Sequence, residues 1–197
     1  MGLAPSREPL DPRLIPWAYA QGMFPMSDEE GTVDWYTADP RGILEHDDLR
    51  VSRSLRATLR RQIYEVRVDT AFRAVMLACA DRPETWISEA LVDAYTELHE
   101  QGLAHSVEAW QGGSLVGGLY GVALGGAFMG ESMFARMPDA SKVCLVSLVE
   151  RLRARGYVLH DMQMLTEHTA RMGGRAISAD DYLRRLAVAL PLRRTFA

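Results

Sequence analysis

The chain has 197 residues, 48% hydrophobic and 24% charged, with a formal net charge of −4. That length supports a sizeable core, in one large domain or in a small domain joined to a larger one, and the ordinary charged share argues against disorder. The acidic balance sets aside whole-molecule attraction to nucleic acid, no apolar run approaches the roughly 20 residues of a spanning helix, and the first residues lack a signal-peptide core, so a cytoplasmic protein with no membrane segment is expected.

In chain order, residues 10–24 predict a short helix closed by Gly22, and residues 31–44 predict strand and loop. Ser52 can cap a helix reaching about Gln62, with Arg53, Arg56 and Arg60 along one side. Six arginines and one acid, Glu65, fall between Arg50 and Arg67. Such a cluster is either a solvated helix face or a local phosphate-attracting patch. Tyr64–Val68 predicts a strand. Phe72, Val75, Met76 and Cys79 mark the next helix, and Ser88 caps another, with Leu91, Tyr95 and Leu98 inward and Gly102 as its stop. A three-strand meander follows over 104–110, 115–123 and 127–134, turned by Gly112-Gly113 and Gly125-Gly126. Glycines 117, 118 and 121 inside a strand imply a bulge or the close approach of another backbone. A helix over 140–155, a strand over 157–163, a short helix near 166–172 and a final helix over 180–190 complete an α+β pattern. Cys79 and Cys144 read as reduced, small hydrophobes, and no Cys/His cluster has zinc spacing, so neither a disulfide nor a metal is expected.

Three places carry candidate chemistry. Strand alternation puts Tyr157, Leu159, Asp161 and Gln163 on one face, with Val158, His160 and Met162 on the other. An acid beside an amide at a strand end either fastens a loop or performs catalysis. In Gly130-Glu131-Ser132-Met133-Phe134, a regular strand would point Glu131 the same way as Met129 and Met133. Glu131 then caps backbone amides or meets a substrate, and the methionines are core or line a pocket for an unbranched apolar group. Lys142 is the only lysine. In the first turn of its helix, where Arg prevails elsewhere, it suits a carboxylate or phosphate, unless it survives by chance. His105-Ser106 cannot pair directly on a strand, and neither a nucleophile elbow nor a nucleotide-binding glycine loop is present.

These stretches also recur, in order, in a known family. Ala18-Tyr19 through Gly22-Met23-Phe24-Pro25, Asp39-Pro40-Arg41, Ser52-Arg53-Ser54, Thr85-Trp86-Ile87, Ala104 to Glu108, Leu115 to Val122, Gly130 to Phe134, Ala140-Ser141-Lys142, and Asp161-x-Gln163 followed by His168 run in order over residues 14–190, nearly the whole chain. The sequence resembles the leucyl/phenylalanyl-tRNA–protein transferases. The resemblance implies a small N-terminal α/β domain (1–62) and a GNAT-like, acetyltransferase-like domain (63–197) with a mixed, largely antiparallel sheet. It implies a monomer without cofactor. This would move leucine, or less well phenylalanine, from charged tRNA to the α-amine of a protein beginning with Arg or Lys, creating an N-degron. Carried over, Asp161, Gln163 and Glu131 are catalytic. Trp35, Tyr36, Trp86, Phe128, Ser132, Met133, Leu148 and Lys142 contact the aminoacyl-adenosine end. Arg53, Arg56, Arg60 and Arg61 meet the tRNA. Four positions depart from the family pattern: Met26 and Tyr36 stand where Trp is usual, His160 where an aliphatic is usual, and Met162 where Cys is usual.

Two rival readings remain. An acetyl-CoA-dependent N-acetyltransferase would share the fold, but the junction Met137 to Lys142 lacks its glycine-rich pyrophosphate loop. A non-catalytic tRNA- or degron-binding module would have no need of Asp161, Gln163 and Glu131.

Overall fold

A computed structural model describes residues 9–196. In chain order the elements are α1 (Leu14–Ala20), β1 (Phe24–Ser27), β2 (Val33–Tyr36), β3 (Arg41–Ile43), α2 (Arg53–Arg60), β4 (Glu65–Val68), α3 (Phe72–Ala80), α4 (Glu89–Glu100), β5 (Ala104–Gln111), β6 (Ser114–Leu124), β7 (Ala127–Ala135), α5 (Ala140–Ala154), β8 (Leu159–Gln163), α6 (Glu167–Arg171), β9 (Arg175–Ile177) and α7 (Ala179–Ala189). Strands β1 and β2 pair as a separate hairpin. The other seven form one sheet in the order β4-β5-β6-β7-β8-β3-β9, antiparallel throughout except for the parallel pair β7–β8. The expected α+β class and mixed, largely antiparallel sheet are therefore present. Among the described residues, no helix is long and apolar enough to cross a membrane.

Local chemistry sets most boundaries. Ser52, Ser88 and Ser178 accept the amide N–H of Leu55, Leu91 and Asp181 at 3.1, 3.4 and 3.2 Å, capping α2, α4 and α7. Gly102 and Gly156 follow α4 and α5 in the left-handed region, where glycine carries no Cβ penalty. The start of α3 is satisfied from afar: the buried Glu108 carboxylate accepts the N–H of Thr70 at 2.9 Å and of Ala71 at 2.8 Å. Ser106 also donates to Glu108, whereas His105 binds Asp69 and Gly102, so the Ser/His neighbours do not pair.

Two apolar layers cover the sheet. On one face, α1, α3, α4 and α7 pack through Tyr19, Val75, Leu91, Tyr95 and Leu186. On the other, α5 packs through Leu145, Leu148 and Leu152 with Leu55 of α2. β3 lies between β8 and β9 in the large sheet, and α2 packs on α5, so residues 41–60 share the sheet and core of the following elements. The short strands β1, β3 and β9 were not legible as separate elements, because three or four residues are too few to show alternation.

The glycine-rich β6 does both things expected of it. A Cβ on Gly117 would lie 2.5 Å from Ala140 at the start of α5, so glycine lets that helix close on the sheet. A Cβ on Gly121 would collide with the Met129 carbonyl and the Phe128 ring. The β6–β7 register shifts at that point: Tyr120 faces Ser132 while Gly121 faces Gly130, leaving Glu131 as an extra residue. This corrects the expectation of a regular strand. Met129 packs in the layer of α3 and α4, and Met133 in the layer of α5. The bulge reverses the alternation between them. Tyr157 likewise precedes β8 and packs on the α5 side, opposite Leu159.

Candidate active site

The parallel ladder between β7 and β8 runs from Ala127↔Leu159 to Met129↔Asp161 and goes no further. Beyond it the strands part, and two residues further along each, the bulged Glu131 and Gln163 reach into the opening. There they join: Gln163 Nε2 donates to Glu131 Oε1 at 2.6 Å. The opening leads into a cavity of about 250 Å³. Trp86, Ser132, Met133 and Leu148 line it together with Glu131 and Gln163.

Glu131 is held by two tyrosines from the helical layer. Tyr19 of α1 donates to Oε1, Tyr95 of α4 donates to Oε2 at 3.2 Å, and the two hydroxyls lie 2.9 Å apart. Burial pushes the Glu131 carboxyl up to about 7; hydrogen bonds from Tyr19, Gln163 and Tyr95 oppose the rise, and the nearby Asp161 charge adds to it. The site therefore contains a carboxyl that exchanges its proton near neutrality, in contact with the amide of Gln163.

Asp161 does a different job. It is fully buried beneath the cavity and does not line it. Arg41 of β3, only 1% exposed, grips it with Nε at 2.8 Å and Nη2 at 2.6 Å. Tyr182 of α7 donates to Oδ2 at 2.9 Å, and the Gln163 backbone N–H donates to Oδ1 at 2.8 Å. Arg41 is itself seated on the carbonyl of Gly22 and over the rings of Tyr182 and Phe24. Burial works against its charge, and the hydrogen bonds and charge of Asp161 more than offset that, holding its pKa above the ordinary guanidinium value. The negative charge of Asp161 is thus neutralised inside the protein. Its lasting effect is geometric: it holds the backbone of Gln163, a non-glycine residue at φ 51°, in the left-handed region.

The other expected contact residues divide. Trp86, Ser132, Met133 and Leu148 are cavity walls, as described. Phe128 is sealed behind the wall, its ring 5.3 Å from that of Phe196. Trp35 and Tyr36 sit on the β1–β2 hairpin outside the cavity; Trp35 packs on the core and Tyr36 is exposed. Lys142 also lies outside the cavity walls and donates to Asp139 at 2.8 Å, within its own helix start. Arg53, Arg56, Arg60 and Arg61 are exposed on and just after α2, with no ion pair to a described residue.

Several residues of the site had no assigned role at the sequence level. Tyr19 and Arg41 fall inside the quoted stretches Ala18-Tyr19 and Asp39-Pro40-Arg41, and Tyr95 read only as an inward helix residue. They lie 112, 120 and 36 residues from their carboxylate partners, so no local spacing could connect them. His160, Met162 and His168 also line the cavity.

Comparison with known proteins agrees over nearly the whole chain. A family model described as leucyl/phenylalanyl-tRNA protein transferase matches residues 43–187, and one described as the N-terminal domain of the same family matches residues 8–39. A relative from Rubrobacter xylanophilus, named leucyl/phenylalanyl-tRNA–protein transferase, is 59% identical over 95% of this chain and 99% of its own length. One of the same name from Herpetosiphon aurantiacus is 54% identical over 95% of this chain and 98% of its own. A GCN5-related N-acetyltransferase-like protein from Streptococcus suis superposes with a TM-score of 0.40 at 14% identity, covering 84% of this chain and 64% of that one.

Proposed function

We propose, for a chain that belongs to the leucyl/phenylalanyl-tRNA–protein transferase family, that the cavity joins the leucyl or phenylalanyl ester of a charged tRNA to the α-amine of a protein beginning with Arg or Lys. Leucine is the preferred donor, and the product is an N-degron. The observation that carries this reading is the clamping of Gln163 at the cavity wall. Its side-chain N–H is engaged by Glu131 and its backbone N–H by Asp161. The carboxylate requires the NH₂ end of the amide, so Oε1 is the end left to accept from an incoming amine.

The chemistry follows from these placements. The ester is already activated, so the main requirement is to hold amine and carbonyl together, which can be worth up to roughly 10 kcal/mol. The α-amine, with an ordinary pKa of about 8, arrives largely protonated. Glu131 takes one proton as carboxylate, and its pKa near 7 matches that task. Gln163 Oε1 orients the freed amine, whose nitrogen attacks the ester carbonyl. The carbon–oxygen bond to the ribose then breaks. The second amine proton passes to the departing ribose oxygen, which leaves as a hydroxyl. Asp161 and Arg41 act through Gln163 and are positioning residues.

In this reading Met133, Leu148 and Trp86 enclose the aminoacyl side chain, and β-branched valine and isoleucine fit poorly. Trp35, Tyr36 and Lys142 lie further out toward the tRNA end, with Phe128 behind the pocket. The free arginines of α2 face the acceptor stem, and the protein acts as a cytoplasmic monomer.

The test is transfer of radiolabel from leucyl-tRNA, phenylalanyl-tRNA and valyl-tRNA to a model protein beginning with Arg, with acetyl-CoA in parallel. Label from the first two and little from the third is expected. Acetylation without aminoacyl transfer would overturn the reading, and equal use of valine would overturn the pocket assignment.

A further inference from the structure

His160 lies on β8 in the cavity wall and is 2% exposed. Its Nδ1 is sealed and has no hydrogen-bond partner among the described residues. The nearest ring of similar chemistry is His46, 6.4 Å away centre to centre, whose Nε2 is likewise sealed and unpartnered. The edge of Phe128 packs at 5.9 Å. His160 Nε2 lies on the side of Gly130, another wall residue: a Cβ there would sit 3.5 Å from it. Met133, Leu145, Leu148 and Met162 give the same cavity apolar wall. Burial, with His46 beside it, pushes the ring's pKa down to about 3, so the imidazole is neutral at any working pH. A neutral imidazole offers one N–H donor and one bare acceptor, and a buried polar group left unpaired is costly. Among the described residues no group pairs with Nδ1, and Nε2 lies beside the cavity wall at Gly130.

We propose, resting on the transferase reading above, that His160 gives the aminoacyl pocket a hydrogen-bonding floor and thereby admits tyrosine, carried as tyrosyl-tRNA, alongside the hydrocarbon side chains. A phenol fits because it combines an apolar body for the methionine and leucine walls with a single polar tip for Nε2. Short polar side chains would leave the walls uncovered. Charged ones would be buried against a neutral ring that supplies no counter-charge at that point. A floor that hydrogen-bonds a hydroxyl separates it from its deoxy analogue far better than a hydrocarbon floor can.

The experiment uses one tRNA body charged separately with leucine, phenylalanine, tyrosine and para-methylphenylalanine, and an acceptor peptide beginning with Arg. The para-methyl analogue keeps the size of tyrosine and lacks its hydroxyl. Wild-type protein is expected to use tyrosine at least tenfold better than para-methylphenylalanine, by kcat/KM. His160→Leu is expected to lower the tyrosine-to-phenylalanine ratio at least tenfold. The proposal is overturned if wild type transfers leucine and phenylalanine but prefers the para-methyl analogue to tyrosine, or if the ratio is unchanged in His160→Leu. Should that variant fail to fold, the wild-type comparison of the two para substituents decides alone. Wild type inert with all four donors overturns the transferase reading instead.

Discussion

Replacing Glu131 with glutamine should make the protein more stable at pH 8 while disabling it. The carboxyl is partly buried beneath Tyr19, Tyr95 and Gln163, and burial raises its pKa from the ordinary 4.5 to about 7. An acid whose folded pKa exceeds its unfolded value holds its proton more tightly when folded. Its contribution to stability is therefore full below about 4.5, falls as pH rises from there to about 7, and is level above. At about 1.4 kcal/mol for each tenfold change in proton affinity, the loss at pH 8 is on the order of 3 kcal/mol. Glutamine removes the titration and keeps the contacts. Its oxygen can accept from Tyr19 and Gln163, and its NH₂ can donate to the Tyr95 hydroxyl, which then turns toward Tyr19. At roughly 2–4 °C per kcal/mol for a chain of this size, Glu131→Gln should unfold several degrees above wild type at pH 8. The difference should close toward pH 4.5. Thermal unfolding of both proteins across pH 4.5 to 8 measures this. Single-turnover transfer should fall by roughly 10²–10⁴-fold, with the rise in rate through about pH 7 abolished. A stability difference that does not change with pH would refute the assignment of a near-neutral carboxyl at this position.

Further outcomes follow from the same contacts. Arg41→Met leaves the buried Asp161 with only Tyr182 and a backbone N–H as donors, and should cost about 3–5 kcal/mol in urea unfolding. An unaltered midpoint would show that the pair contributes nothing net. Gln163→Ala should lower kcat with a modest change in KM for the acceptor; Gln163→Glu at near-wild-type rate would instead make residue 163 a true base. Arg53→Glu, Arg56→Glu and Arg60→Glu combined should raise KM for charged tRNA and flatten its salt dependence, leaving transfer from a minimal aminoacyl-adenosine donor little changed. A uniform loss with both donors would place those arginines outside the tRNA interface.

Much of the architecture was legible because its causes are local. The caps Ser52 and Ser88, the stops Gly102 and Gly156, and the glycine turns joining β5, β6 and β7 are written within a few residues each. Strand alternation set Asp161 and Gln163 on one face; both side chains are buried, but Gln163 leaves regular strand geometry at φ 51° and lines the cavity that Asp161 does not reach. Ordered motifs along the chain carried the family, and two family models match residues 8–39 and 43–187, which hold all of those motifs but Pro40-Arg41.

The roles within the site depended on groups brought together from distant parts of the chain. Glycines in β6 implied a bulge or a close backbone approach, but only pairing with β7 placed the bulge at Glu131 and reversed the facing of Met133. Asp161 could have fastened a loop or performed catalysis; Arg41, arriving 120 residues away on a three-residue strand, pairs with its charge and leaves Asp161 as a fastening for Gln163. In the proposed mechanism the proton passes to Glu131, whose carboxyl burial pushes up against the hydrogen bonds of two tyrosines from separate helices. Periodicity and capping act through neighbours along the backbone and so can be read in order. Desolvation, charge pairing and the parting of two parallel strands act through space, and they came into view only once the chain was folded.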